Sequence, residues 1–162
     1  MKRLGFAIGF ILLFSQQVAA LSCKWPSIEG SFNNYSESND KYIMVLGKLV
    51  NKRAVVPAKG STATAEARGE SYIADFVGHM ATRSGFDREI KLTVAVRGLC
   101  LGNRCGHVAT GKQMIGFLQE TPSGYNLTDG PCDGAVFYNV DKQMKRKALR
   151  CMRGGVCKAN SR

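Results

Sequence analysis

Six cysteines and two histidines carry most of the chemical potential of this 162-residue chain, and their spacing restricts what that chemistry is. Cys100, Cys105 and His107 fall within eight residues, a spacing compatible with three zinc ligands. Cysteines of an exported protein oxidise to disulfides more readily than they hold a lone zinc, so no metal site is expected there. His79 and His107 belong to no His-Glu-x-x-His sequence, and neither a Gly-x-Ser-x-Gly elbow nor a glycine-rich phosphate loop is present. Glu66, Glu70 and Asp75 are scattered in or near a loop and a strand, where solvated surface carboxylates are the expected outcome. These residues give no catalytic constellation and call for no cofactor; the expectation is a non-enzymatic protein.

Export is read from residues 1–20. Met1, Lys2 and Arg3 make a basic start, LGFAIGFILLF an apolar run, and Val18, Ala19 and Ala20 a small-residue end, the pattern of a signal peptide. No second long apolar segment follows, so the mature form is expected to carry no integral membrane span and to reside in the periplasm or the extracellular medium. Cleavage after Ala20 is the favoured site. Cleavage before Cys23, or lipid anchoring at Cys23, fits the same letters, and each gives Cys23 a different chemistry.

Oxidation of an even cysteine set predicts three disulfides, with fifteen pairings open in principle. Cys100 and Cys105 flank a turn containing Gly102, and Cys151 and Cys157 one containing Gly154 and Gly155. Glycine lets the chain reverse over such short distances, which puts both bridges within reach. Cys23 and Cys132 then remain to tie the N-terminal segment to the region after the last strand.

The elements that position these residues are mostly strands. In residues 89–119, Ile90, Leu92, Val94 and Val96 alternate with Glu89, Lys91, Thr93 and Arg97 up to Gly98, a half-buried strand. Met114, Ile115, Phe117 and Leu118 form a second run, with Gly116 as a place to bend. Residues 41–50 and 71–81 read as further strands, with Gly47 as an expected bulge, and residues 125–128 as a last short strand. Residues 24–40, polar and rich in serine and asparagine, are expected to lie as an extended strap; residues 51–69 are expected to form a long loop with a short strand at 54–56. One mature domain over residues 21–157 and a short tail at 158–162 accommodate the length.

A different pattern closes the domain. Val140, Met144, Ala148 and Met152 recur every four residues, predicting an amphipathic helix over about 139–153 capped by Asn139 or Asp141 and ended at Gly154. Residues 142–162 hold eight Lys or Arg and no Asp or Glu, whereas residues 21–141 hold thirteen basic and twelve acidic residues, so the tail stands at +8 and the body at +1.

Cys105-Gly106, Gly111-Lys112, the run 114–118, Tyr125-Asn126-Leu127 and Cys132, with the VLGKLV strand and the basic helix, resemble the netrin-like module of tissue inhibitors of metalloproteinases. The resemblance spans residues 23–157 and rests on the order of strands and cysteines. It implies a mainly β fold, a five-stranded oligonucleotide/oligosaccharide-binding (OB) type Greek-key barrel with a C-terminal α-helix, stapled by disulfides. In that family the N-terminal cysteine is joined to the Cys-Gly position, which here is Cys105. Its zinc-chelating terminus begins Cys-x-Cys, whereas Cys23 here stands alone.

Two functions follow as expectations. The first is an exported protein-binding or inhibitor-like module whose partner is another exported or envelope protein, with Cys23, Lys24 and Trp25 as candidate contact residues. The alternative is a binder of polyanions, whether nucleic acid, acidic glycan or an anionic membrane face, through Lys142, Lys145, Arg146, Lys147, Arg150 and Arg153. Neutralising Lys145, Arg146, Lys147 and Arg150 is expected to flatten the salt dependence of such binding and leave the fold intact.

Overall fold

The structure is a computed structural model that describes residues 26–54, 69–101 and 104–159. The expected signal segment, Cys23, Lys24, Trp25 and residues 55–68 of the expected loop lie outside the described residues.

The described residues are mainly β with two helices. Helix α1 (Ile28–Ser36) precedes strands β1 (Tyr42–Ala54), β2 (Ser71–Ala81) and β3 (Phe86–Gly98). A small hairpin follows, β4 (Cys100–Leu101) and β5 (Arg104–Cys105), then β6 (Met114–Thr121), β7 (Gly124–Asp129), β8 (Val136–Tyr138) and α2 (Lys142–Met152). Hydrogen bonding runs β1-β2-β3-β7-β6, and β6 pairs back onto β1, so five strands form a ring of pairings; β8 adds to β6 beside β7. β3 and β7 are parallel and the other pairs antiparallel.

Two apolar layers explain the sequence patterns. Inside the ring, Val45 and Leu49 of β1, Tyr72, Ala74 and Phe76 of β2, Val94 and Val96 of β3, Met114 and Leu118 of β6 and Leu127 of β7 are buried together. Outside it, Met44, Ile115 and Phe117 pack with Ile28 of α1 and Ala148 of α2. β2 and β3 cover one face and alternate; the 114–118 stretch of β6 is buried on both faces and reads as an unbroken apolar run. The tyrosine hydroxyl of Tyr72, deep in the inner layer, donates to the Val108 carbonyl, satisfying a polar group that burial would otherwise leave costly.

Several expectations are corrected. The 24–40 strap is in its described part a helix: Ser27 caps α1 by accepting the Gly30 N–H at 3.1 Å, and Ile28, Phe32 and Tyr35 recur at helical spacing along its buried face. Gly47 is not a bulge, since pairing runs in register from Val45 to Val50. It is a close approach, because a Cβ there would sit 2.3 Å from the Val77 carbonyl oxygen and 2.6 Å from the Phe76 ring. The β1 irregularity falls between Val50 and Arg53, where Asn51 takes a φ of 52°. β7 is not the last strand either, for β8 follows it.

The short-range disulfides Cys100–Cys105 and Cys151–Cys157 form as the spacing predicted. Cys105 is therefore not bonded to the N-terminal cysteine, and the pairing implied by the netrin-like resemblance is overturned. Cys132 is itself disulfide-bonded, while its expected partner Cys23 lies outside the described residues. Among the described residues, no helix is long and apolar enough to cross a membrane.

Candidate functional site

An open cleft of about 400 Å³ lies where the end of α1 meets the start of β1, the outer face of β6 and the loop after β7. Asn34, Tyr35, Ser38, Tyr42, Phe117, Gln119, Thr128, Cys132 and Asp133 line it. Local geometry brings the aromatics together. Tyr42 pairs across the sheet with Gln119, and Met44 with Phe117, so these four side chains share one face two residues apart. The last turn of α1 lays Tyr35 over that face. Its ring stacks on Phe117 with centroids 4.8 Å apart and planes at 24°, and meets Tyr42 at 4.6 Å and 48°.

The opposite wall is acidic. Asp133 ends a turn in which its N–H reaches the Gly130 carbonyl, and Gly134 continues in the left-handed region at φ +65°. A Cβ at Gly134 would strike Pro26 at 2.4 Å and the Ser31 hydroxyl at 2.6 Å, so glycine permits the start of α1 to rest on this loop. Beside it the Asp129 carboxyl is pushed up to about 6, chiefly by burial and further by Asp133, against the lowering effect of hydrogen bonds from the Ala135 and His107 backbone N–H groups. Tyr35 is held well above the usual phenol range by burial first and then by the Asp133 charge. Burial and then Asp40 raise Tyr42 in the same direction. Among the described residues, no lysine or arginine lines the cleft.

The basic helix is arranged differently. Glu29 of α1 is only 2 % exposed, and its Oε1 receives Lys147 Nζ at 3.2 Å and Arg150 Nη2 at 3.4 Å, while its Oε2 is buried without a hydrogen bond. Arg153 donates to the Arg83 carbonyl at 2.7 Å and to the Ser84 carbonyl at 2.9 Å, fixing the end of α2 to the β2–β3 turn. Asp141 caps the helix by accepting the Met144 N–H at 2.6 Å, and Gly154 at φ +76° ends it. Three of the six proposed polyanion contacts thus make internal bonds. Lys142 and Arg146 are exposed and Lys145 is half-buried. Against the expectation that Lys147 and Arg150 can be neutralised with the fold untouched stands their contact with a buried carboxylate, which their neutralisation would leave uncompensated.

Several other ionisable groups have structural partners. Lys52 bonds Glu70, holding its carboxyl low, and sits 4.4 Å from the Tyr72 ring centroid, with His107 Nδ1 3.5 Å from Glu70. Arg53 and Asn51 bond Asp75 and lower it to about 2. Glu66 lies outside the described residues. The Cys100 and Cys105 sulfurs are committed to their bridge and are not thiolate ligands beside His107.

Among the candidate contact residues read from the sequence, Cys23, Lys24 and Trp25 lie outside the described residues, and the cleft brings together residues not among those candidates: Tyr35, Tyr42, Phe117 and Asp133. The signal for Tyr35 was the Ile28, Phe32, Tyr35 spacing, masked by the polar residues between. Compared with known proteins, the chain matches no family model, no curated protein and no solved structure.

Proposed function

We propose that this protein is an exported, non-enzymatic protein-binding module of the OB-barrel type, and that the cleft between α1, β1 and β6 is its contact surface. The observation that carries this reading is the cleft: three aromatic rings, amide and hydroxyl groups and a carboxylate meet in one open depression. Aromatic side chains with a polar handle supply large contact area at low entropic cost, and a polar surround fixes orientation.

Support for the barrel comes from the strand ring, its parallel β3–β7 pairing and the C-terminal helix packed against its outer face. The netrin-like resemblance enters through that same strand order; its cysteine pattern does not, since Cys105 is bonded to Cys100. Oxidised Cys100–Cys105 and Cys151–Cys157 favour an oxidising compartment. The carboxylates Glu70, Asp75 and Asp87 are shifted by hydrogen bonds from neighbouring side chains, as structural ion-pair networks shift them, rather than by an arrangement that moves a proton to a substrate.

Photo-crosslinking in the native exported fraction tests this reading. A benzoylphenylalanine at Ser38 or Gln119 is expected to give a discrete protein adduct that Tyr42→Ala abolishes, while the same probe at Lys91 on β3 gives none. Adducts formed equally from Lys91 overturn the placement. Adducts formed only from Arg146 transfer the function to the polyanion surface of α2.

A further inference from the structure

Deepening that reading, and resting on it, we infer that the cleft takes a cationic side chain of the partner, a guanidinium or alkylammonium group held between the Tyr35–Tyr42 aromatic wall and the Asp133 carboxylate. The chain has 23 basic and 12 acidic residues, yet among the described residues the cleft lining contains one carboxylate and no cation. Its surroundings reinforce the sign. Glu37 follows α1 immediately before the lining residue Ser38, the Asp40 charge acts on Tyr42, and the Asp129 and Asp133 charges act on Tyr35. On a molecule whose excess of basic residues repels cations elsewhere, a locally negative cleft attracts them, so an approaching basic side chain finds its favourable position here.

The aromatic arrangement fits the same ligand. Ring faces attract cations electrostatically, and Tyr35 packs on both Phe117 and Tyr42, so the orientation of this aromatic wall is set before a ligand arrives. Gln119 and Asn34 add amide oxygens able to accept from a guanidinium fork. Asp133 and Thr128 both line the opening and are exposed, so the carboxylate is accessible to a side chain entering from solvent.

The test uses the full mature chain and small probes, which separates this inference from the identity of any partner. N-acetyl-arginine amide, N-acetyl-lysine amide and the neutral isostere N-acetyl-citrulline amide are titrated while the tyrosine and phenylalanine ring resonances are followed by NMR. The expected result is saturable movement of Tyr35 and Tyr42 signals, with arginine or lysine binding at least fivefold tighter than citrulline. Asp133→Asn is expected to erase that preference, and Tyr42→Leu to weaken arginine binding about two- to fivefold. Asp133 is a surface residue, so its variant reports on charge even if Tyr42→Leu disturbs the helix packing. Equal affinity for citrulline and arginine, shifts confined to other rings, or an unchanged preference in Asp133→Asn each overturns the inference. Arginine binding that appears only after Lys24→Gln identifies this chain's own lysine as the occupant and also overturns it. A partner adduct at Ser38 without cation binding defeats this inference alone; cation binding without any adduct defeats the docking reading alone.

Discussion

Helix α2 and the cleft beside Cys132 invert each other in charge and in what that charge does. The helix is dense in cations, but Lys147 and Arg150 are turned inward onto Glu29 and Arg153 onto two carbonyls. The cleft has few charges, but its Asp133 is exposed and backed by preset aromatic rings. Formal charge counted along a sequence therefore measures neither region's capacity to bind. What counts is the charge left unpaired once the fold has drawn on it.

The strongest way to break this contrast is to remove the internal work of α2. Lys147→Met with Arg150→Met leaves Glu29 buried and uncompensated, and is expected to cost about 2–4 kcal/mol in urea unfolding. Restoring neutrality by adding Glu29→Met should recover most of that loss. If the double variant unfolds with the wild-type midpoint, the cations of α2 are free after all and the contrast collapses.

How much of this was legible follows from what each signal is made of. The strands at 71–81 and 114–121 announce themselves through local apolar patterning, and the C-terminal helix through four-residue spacing and a terminal glycine. Helix α1 does not, because only Ile28, Phe32 and Tyr35 of its residues are large and apolar, and its stability comes from packing on β6 rather than from its own propensity. Glu29 reads as an ordinary surface acid; its burial depends on α2, more than a hundred residues later. The cleft is equally non-local. Tyr35, Tyr42, Phe117 and Asp133 converge only through the β1–β6 pairing and the loop after β7, and no short-range spacing encodes that meeting.

On the cleft side, pH sharpens the comparison. The folded-state Asp129 carboxyl is raised from its ordinary 3.8 to about 6, so the protonated form is favoured by folding. Its contribution to stability is fully present below about pH 3.8 and is lost as the pH rises to about 6, leaving a constant penalty above. Asp129→Asn should therefore stabilise the protein by about 1–2 kcal/mol at pH 7, after allowance for screening at a half-buried group, and by almost nothing at pH 4. Stability curves for the two proteins that stay parallel between pH 4 and 7 would show that burial does not act on this carboxyl.

A smaller effect separates the end of α2 from its middle. Arg153→Ala removes two charge-assisted bonds to the β2–β3 turn at the surface and should cost about 1 kcal/mol, with faster amide exchange at residues 82–85. Exchange unchanged in that turn would mean that the contact fastens nothing. Smallest of all is Lys142→Gln with Arg146→Gln, which touches the exposed cations alone and should change stability by less than about 0.5 kcal/mol.

The central claim, that contact is made by the cleft and not by the helix, is tested most directly by hydrogen exchange of the protein with and without the partner recovered from the Ser38 adduct. Binding at the cleft should slow exchange at residues 33–44 and 117–120 and leave residues 142–153 unchanged. Slowing confined to residues 142–153, with 33–44 exchanging as in the free protein, would contradict the account.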